Sequence, residues 1–228
     1  MIRIRRIELF RTDLRTRMPF RYGIATMVDV PHVLLRLELE TAGGSSTGFS
    51  ADHLPPTWFT KDPIRDPGEE IDEMLLVIRH AISLANNREA ATPFDFWWTL
   101  YHDQATWSRE QGLPPLLGQF GVTLVERALI VAWCRQRGTP FPQAVHANSL
   151  GLDLGRIHES LTDQMPGDLL PAAPPQSVHV RHTVGPSDPL RDKDIAGIDR
   201  LEDGLPQSLQ ACIRTYGLTH FKLKVQGD

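Results

Sequence analysis

The chain is poor in lysine. Of its 24 basic residues only Lys61, Lys193, Lys222 and Lys224 are lysines; all the others are arginine. Cysteine is scarcer still, with Cys134 and Cys212 alone. Two distant thiols make neither a disulfide framework nor a metal site. Each falls in a stretch with an apolar helical face, so buried free thiols and a reducing cytoplasm are expected. No uninterrupted apolar run approaches the ~20 residues that cross a bilayer, and no signal-peptide pattern opens the chain. Positive charge does not dominate either. A net charge of −4 gives no electrostatic case for nucleic acid or an acidic membrane as partner. Gly-x-Ser-x-Gly, His-Glu-x-x-His and the phosphate-binding Gly-Lys-Ser/Thr loop are all missing, which removes three common routes to catalysis.

What remains is a folded-protein composition, 41% hydrophobic and 23% charged over 228 residues, enough for one large domain or two small ones. Charge is uneven along it. Arg3, Arg5, Arg6, Arg11, Arg15, Arg17 and Arg21 crowd the start. Interleaved with Ile2, Ile4, Ile7 and Leu9, they read as the wet face of a strand rather than an anion-binding arm. Glu8 and Asp13 argue against a transit peptide.

Residues 1–50 read as β structure. Val33, Leu35, Leu37 and Leu39 alternate with Leu34, Arg36, Glu38 and Glu40, and Ala42-Gly43-Gly44 supplies the turn into a returning strand. Met18-Pro19-Phe20-Arg21-Tyr22-Gly23, between the first strand and this hairpin, is expected to be a mobile loop. Residues 52–67 are proline-punctuated and irregular. Three helices then follow. Ile71, Met74, Leu75, Ile78, Ala81, Ile82 and Ala85 give the first. The second opens on Thr92-Pro93 and places Phe94, Trp97, Trp98, Tyr101 and Trp107 in the packing face. The third runs from about Val122 to Gln136 and closes at Gly138 and Pro140. Sheet followed by helical bundle makes residues 1–138 an α+β domain.

Residues 139–176 carry Pro140, Pro142, Pro166, Pro171, Pro174 and Pro175 and read as an inter-domain connection with one short helix near Gly155 to Leu161. From residue 177 the pattern is strand (Ser177 to Val184), helix (Leu205 to Tyr216), strand (Thr219 to Val225), a βαβ unit with parallel strands.

The last strand holds half of all the lysine. Alternation places Phe221, Leu223 and Val225 on one face and His220, Lys222 and Lys224 on the other. In a β/α barrel the apolar face meets the helices and the second face points inside. Two amines about 7 Å apart in a partly dry interior favour the neutral form through burial and like charge, and a neutral amine can act as general base. The competing reading is a Lys-x-Lys edge strand that blocks aggregation. His179 and His182 face opposite ways on their strand and cannot share an ion. His32, His53, His80, His102, His146 and His158 are scattered and read as structural or surface groups.

In order and spacing these features resemble the N-terminal part of an enolase-superfamily protein of the mandelate racemase and muconate-lactonizing type. The matching features are the Met18-Pro19-Phe20-Arg21 loop, the Val33 to Thr47 hairpin, the helix with Val125-Glu126-Arg127-Ala128, and Lys222-x-Lys224 on the second barrel strand. The resemblance spans essentially the whole chain. It implies an α+β capping domain (1–138) followed, from 177 to 228, by the first βαβ part of an incomplete (β/α)8 TIM barrel. It implies proton abstraction next to the carboxylate of a small substrate, with racemase, dehydratase or cycloisomerase outcomes, and Mg²⁺ steadying the enediolate. It assigns Lys224 as general base and Lys222 as the residue that tunes it and meets the carboxylate. It makes Phe20, Arg21, Tyr22, Asp52 and His53, on the two loops 20–25 and 51–54, substrate-binding. It allows a homo-oligomer. The family's metal-binding carboxylates would lie beyond Asp228, so no metal ligand is expected within this chain and the chain alone is expected to be inactive. Gly48-Phe49-Ser50-Ala51-Asp52 stands where the family has Gly-x-Gly-Glu, which unsettles the substrate class. The alternative is a non-catalytic interaction protein that uses the same cap and an open barrel edge.

Overall fold

A computed structural model describes residues 1–22, 25–62 and 64–225. The chain divides into two compact units, Met1–Ala172 and Ala173–Asp228.

The first unit is an antiparallel sheet packed on helices. Strands β1 (Ile2–Tyr22), β2 (Ala25–Thr41), β3 (Gly44–His53) and the short β4 (Glu89–Ala90) lie in the order β3-β2-β1-β4. Period-two alternation decides which face is dry. Val33, Leu35, Leu37 and Leu39 are fully buried, together with Ile2 and Ile4 of β1. On the other face the arginines of β1 meet carboxylates: Arg5 pairs with Glu40 at 2.7 Å and Arg6 with Glu8 at 2.6 Å. The basic start of the chain is therefore a charge-paired sheet surface, as the alternation predicts.

Helices α1 (Pro67–Ala85), α2 (Pro93–Glu110), α3 (Pro115–Gly118) and α4 (Phe120–Arg137) cover the dry face. Asp66 caps α1 through the Gly68 and Glu69 amides, and Thr92 caps α2 through the Asp95 amide. Gly138, in the left-handed conformation at φ 59°, ends α4. Two glycines set the layer spacing. A β-carbon on Gly48 would lie 1.9 Å from the Ala128 carbonyl oxygen, and one on Gly121 would lie 2.4 Å from that of Val77. Thus β3 and α4, and α4 and α1, touch backbone to backbone. The irregular stretch before α1 is fastened by buried Glu70, whose carboxylate accepts the Thr57 amide at 2.6 Å and the Thr60 hydroxyl.

Four expectations are corrected. Residues 18–22 do not form a loop: β1 and β2 continue as a long hairpin, pairing Phe20 with Met27 and Arg21 with Thr26, because cross-strand hydrogen bonds extend past the core. The aromatic stripe of α2 is only part of its packing face: Phe94 is buried and Trp97 and Trp107 pack against the core. Phe96, Leu100, Gln104 and Ser108 are buried at a four-residue spacing, while Trp97 and Trp98 are half-buried and Tyr101 is exposed. Residues 139–172 are docked rather than connecting. Helices α5 (Phe141–His146) and α6 (Pro166–Leu169) and two short 3₁₀ turns belong to the first unit, anchored by buried Ala144 and Leu150. Finally, the segment Pro115–Arg137 is long and apolar enough to cross a bilayer by composition, yet 61% of its most apolar stretch is buried inside the protein, the signature of a core helix.

The second unit carries β5 (Arg181–Val184), α7 (Leu209–Tyr216) and β6 (His220–Leu223). The strands are parallel, with Thr183 opposite Lys222, so strand, helix and strand follow the βαβ pattern read from the sequence. Ser208, fully buried, caps α7 through the Ala211 amide at 3.1 Å and donates to Asp192 at 2.5 Å.

Candidate functional site

The sequence-predicted residues fall at three places. The first is where β2 and β3 lie side by side under the start of α4. Arg127 of α4 donates from Nη2 to Asp52 Oδ2 at 2.8 Å and from Nη1 to the Ala51 carbonyl at 3.2 Å. Asp52 also accepts the His53 amide at 3.0 Å. The Asp52 side chain is thereby held on the helix side of β3, beside Ser50, whose hydroxyl donates to the Leu124 carbonyl at 2.6 Å. His53 points to the opposite face and meets His32 across the strands, Nδ1 to Nδ1 at 3.0 Å. Sequence reasoning found Asp52 and His53 but missed His32 and the role of Arg127. The pairing of Arg127 with Asp52 spans 75 positions, and only strand register and helix docking bring it about.

Next to Arg127, burial pushes the Glu126 carboxyl above its ordinary range, an effect the neighbouring guanidinium offsets only in part. Burial likewise raises the Cys134 thiol, which makes it a poor nucleophile.

The second place is the hairpin tip. Phe20 is 48% exposed and Arg21 is exposed. Tyr22 lies on β1, but its side chain falls outside the described residues, as do Gly23 and Ile24 of the expected 20–25 loop. Met27, opposite Phe20, lies five positions before His32 on β2. That is roughly 16 Å along β2, so within this unit Phe20 and Asp52 form no single cluster.

The third place is β6. His220 and Lys222 are exposed and Lys224 is half-buried, with its amide donating to the Val184 carbonyl at 3.0 Å. Phe221, Leu223 and Val225 on the other face are also exposed, at 38%, 66% and 86%. The partly dry interior expected around the amines is therefore not present in this unit, because two paired strands enclose nothing. The His220 ring stacks on His179 with centroids 4.3 Å apart. Among the described residues no group of three or more His, Cys, Asp or Glu could hold a metal ion.

No family model matches the chain, and no curated protein matches it. Solved structures do. An enolase from Bradyrhizobium, complexed with magnesium and mandelic acid, superposes over 100% of this chain and 47% of its own, at 15% identity and a TM-score of 0.56. An enolase from Streptomyces coelicolor superposes over 98% of this chain and 45% of its own, at 15% identity and a TM-score of 0.52. The fold is enolase-like. The likeness runs through both compact units, and the chain spans less than half the length of either structure. The enolase-like fold gives the order of the parts a common explanation, from long hairpin to helices to parallel strand pair.

Proposed function

We propose that this chain supplies the capping layer and the opening barrel strands of an enolase-type enzyme that removes a proton next to the carboxylate of a small acid. The observation that carries this reading is the superposition of the entire chain on a structure that binds magnesium and mandelic acid. In this reading Lys224, half-buried where β6 ends, takes the proton, and Lys222 on the same strand face steadies the carboxylate and the charge that develops on it. Asp52, fixed by Arg127 on one face of β3, His53 on the other face, and Phe20, Arg21 and Tyr22 of the β1–β2 hairpin are the substrate-binding candidates. Mg²⁺ would supply charge stabilisation at the developing enediolate. The residues described here do not make a cage for it, so its ligands are assigned to barrel strands other than β5 and β6. The 228-residue chain by itself is accordingly inactive.

The test is exchange of the α-proton of mandelate in D₂O with Mg²⁺, followed by NMR. The isolated chain should leave the proton in place. The natural gene product that contains it together with acidic barrel strands should exchange it or a related 2-substituted acid, and Lys224→Ala should slow that exchange by about 10²–10⁴-fold. Mg²⁺-dependent exchange by the isolated chain, or full activity of Lys224→Ala, would overturn the assignment.

A second reading rests on the exposure of Phe221, Leu223 and Val225: a non-catalytic protein that binds a partner through the β5–β6 sheet. It expects a stable complex seen by sedimentation that Leu223→Lys abolishes, and no acidic strands elsewhere in the gene product.

A further inference from the structure

The His32–His53 pair has a geometry that neither the cap's packing nor the proposed chemistry requires. Leu54 donates its amide to the Pro31 carbonyl at 2.8 Å. This bond flanks the His32–His53 pair, which makes it a non-hydrogen-bonded pair of the antiparallel ladder, the kind whose side chains stand closest. Both rings turn the same nitrogen inward, and the two Nδ1 atoms are 3.0 Å apart. The ring planes are inclined at 55° with centroids 4.7 Å apart, so the rings do not stack.

We propose that His32 and His53 form a two-imidazole site for a borderline divalent transition-metal ion of the Cu²⁺, Ni²⁺ or Zn²⁺ class, with water completing the coordination. Metal–imidazole bonds run about 2.0–2.1 Å. Two nitrogens 3.0 Å apart then subtend roughly 90° at the ion, the angle of adjacent ligands in square-planar or octahedral coordination. A few tenths of an ångström of opening would reach the tetrahedral angle that Zn²⁺ prefers. As the pair stands, one ring donates its Nδ1 proton to the lone pair of the other. Binding needs a tautomer change in the donor ring, with its proton moving from Nδ1 to Nε2, and a turn of the rings that swings both lone pairs from each other onto the ion. No net proton is lost. His53 is exposed, which gives the ion and its waters access, while His32 is half-buried and sits on the central strand, held from both sides by β1 and β3. The ligand type selects against Mg²⁺ and Ca²⁺, which take oxygen. Asp52 does not contribute, because it is engaged by Arg127 on the opposite face. The site is therefore distinct from the Mg²⁺ of the proposed chemistry and does not depend on it.

Cu²⁺ electron paramagnetic resonance and Ni²⁺ titration calorimetry on the 228-residue chain test this, with H32Q, H53Q and H179Q as variants. H179Q controls for the other histidine contact, in which His179 stacks on His220. The wild-type Cu²⁺ spectrum should show two equivalent nitrogen donors. H32Q and H53Q should each reduce these to one and weaken Ni²⁺ binding at least about 10-fold, the loss expected when a chelating partner is removed. H179Q should bind as wild type, and excess Mg²⁺ should not compete. A wild-type spectrum without two nitrogen donors overturns the proposal, and it can be read even if a variant fails to fold. Undiminished binding by folded H32Q and H53Q, or loss of binding in H179Q, overturns it as well.

Discussion

Gln104 shows what one side chain decides. It is fully buried on α2, and its amide nitrogen donates to the Val77 carbonyl at 3.1 Å and the Gly118 carbonyl at 3.0 Å. Its oxygen is thereby left to accept from His80 Nδ1 at 2.7 Å, which fixes the proton of that ring on Nδ1. The His80 ring in turn lies flat on Trp107, centroids 3.8 Å apart. One amide thus ties α1, α2 and the end of α3. Gln104→Leu keeps the shape but strands two carbonyls and an imidazole N–H in a dry place, and should cost about 2–4 kcal/mol in urea denaturation. A loss below about 0.5 kcal/mol, the size of an ordinary surface change, would contradict the network. This residue was not legible in the sequence. Five of the six aromatics of α2 suggested the packing face; Phe94 is buried and Trp97 and Trp107 do meet the core, but the ridge through the helix is Phe96, Leu100, Gln104 and Ser108. A glutamine earns such a position only through partners on other helices, which spacing cannot display. The pairing of His32 with His53 was hidden for the same reason: their 21-residue separation is closed by strand register alone.

At the scale of elements the sequence was far more informative. Capping at Thr92, termination at Gly138 and Gly217, the alternation of β2 and the parallel βαβ pattern are local signals, and local physics sets them. The closeness of layers is not local. Gly48→Ala places a methyl group within 1.9 Å of a backbone oxygen of α4, so the helix must move. It should lose about 3 kcal/mol or more, seen as a lower denaturation midpoint, although alanine is the better strand and helix former. An unchanged midpoint would show that β3 and α4 are not in backbone contact. Two carboxyls give opposite pH signs. Folding raises Glu126 above its ordinary value of 4.5, so the folded state holds that proton more tightly, and stability falls as pH rises from 4.5 through the raised value. Glu126→Gln should therefore be more stable than wild type at pH 8, with the gap closing toward pH 4. Ser208 and Arg214 hold Asp192 below its ordinary 3.8, so its contribution is present above that pH and is lost on acidification through the lowered value. Ser208→Ala, which removes the α7 cap, should cost the second unit about 1 kcal/mol at neutral pH, read from amide exchange in α7.

At the scale of the whole molecule, the two units differ in how much apolar surface they cover. The first encloses a continuous core from β1 to Leu150. The second has a parallel pair with both faces of β6 open to solvent. Parallel strands are stable when both faces are covered, and the proposed function takes β5 and β6 as the beginning of a larger sheet and Lys222 and Lys224 as half of a site. The four lysines of the composition pointed to Lys222 and Lys224. Neither the composition nor the described structure supplies the other half. The most direct measurement is the nucleotide sequence of the natural gene on both sides of the 228 codons. The account predicts further strand–helix repeats in the same reading frame, with three carboxylates at successive strand ends to hold Mg²⁺. A natural reading frame without such repeats, translated into a stable protein of these residues alone, would contradict it.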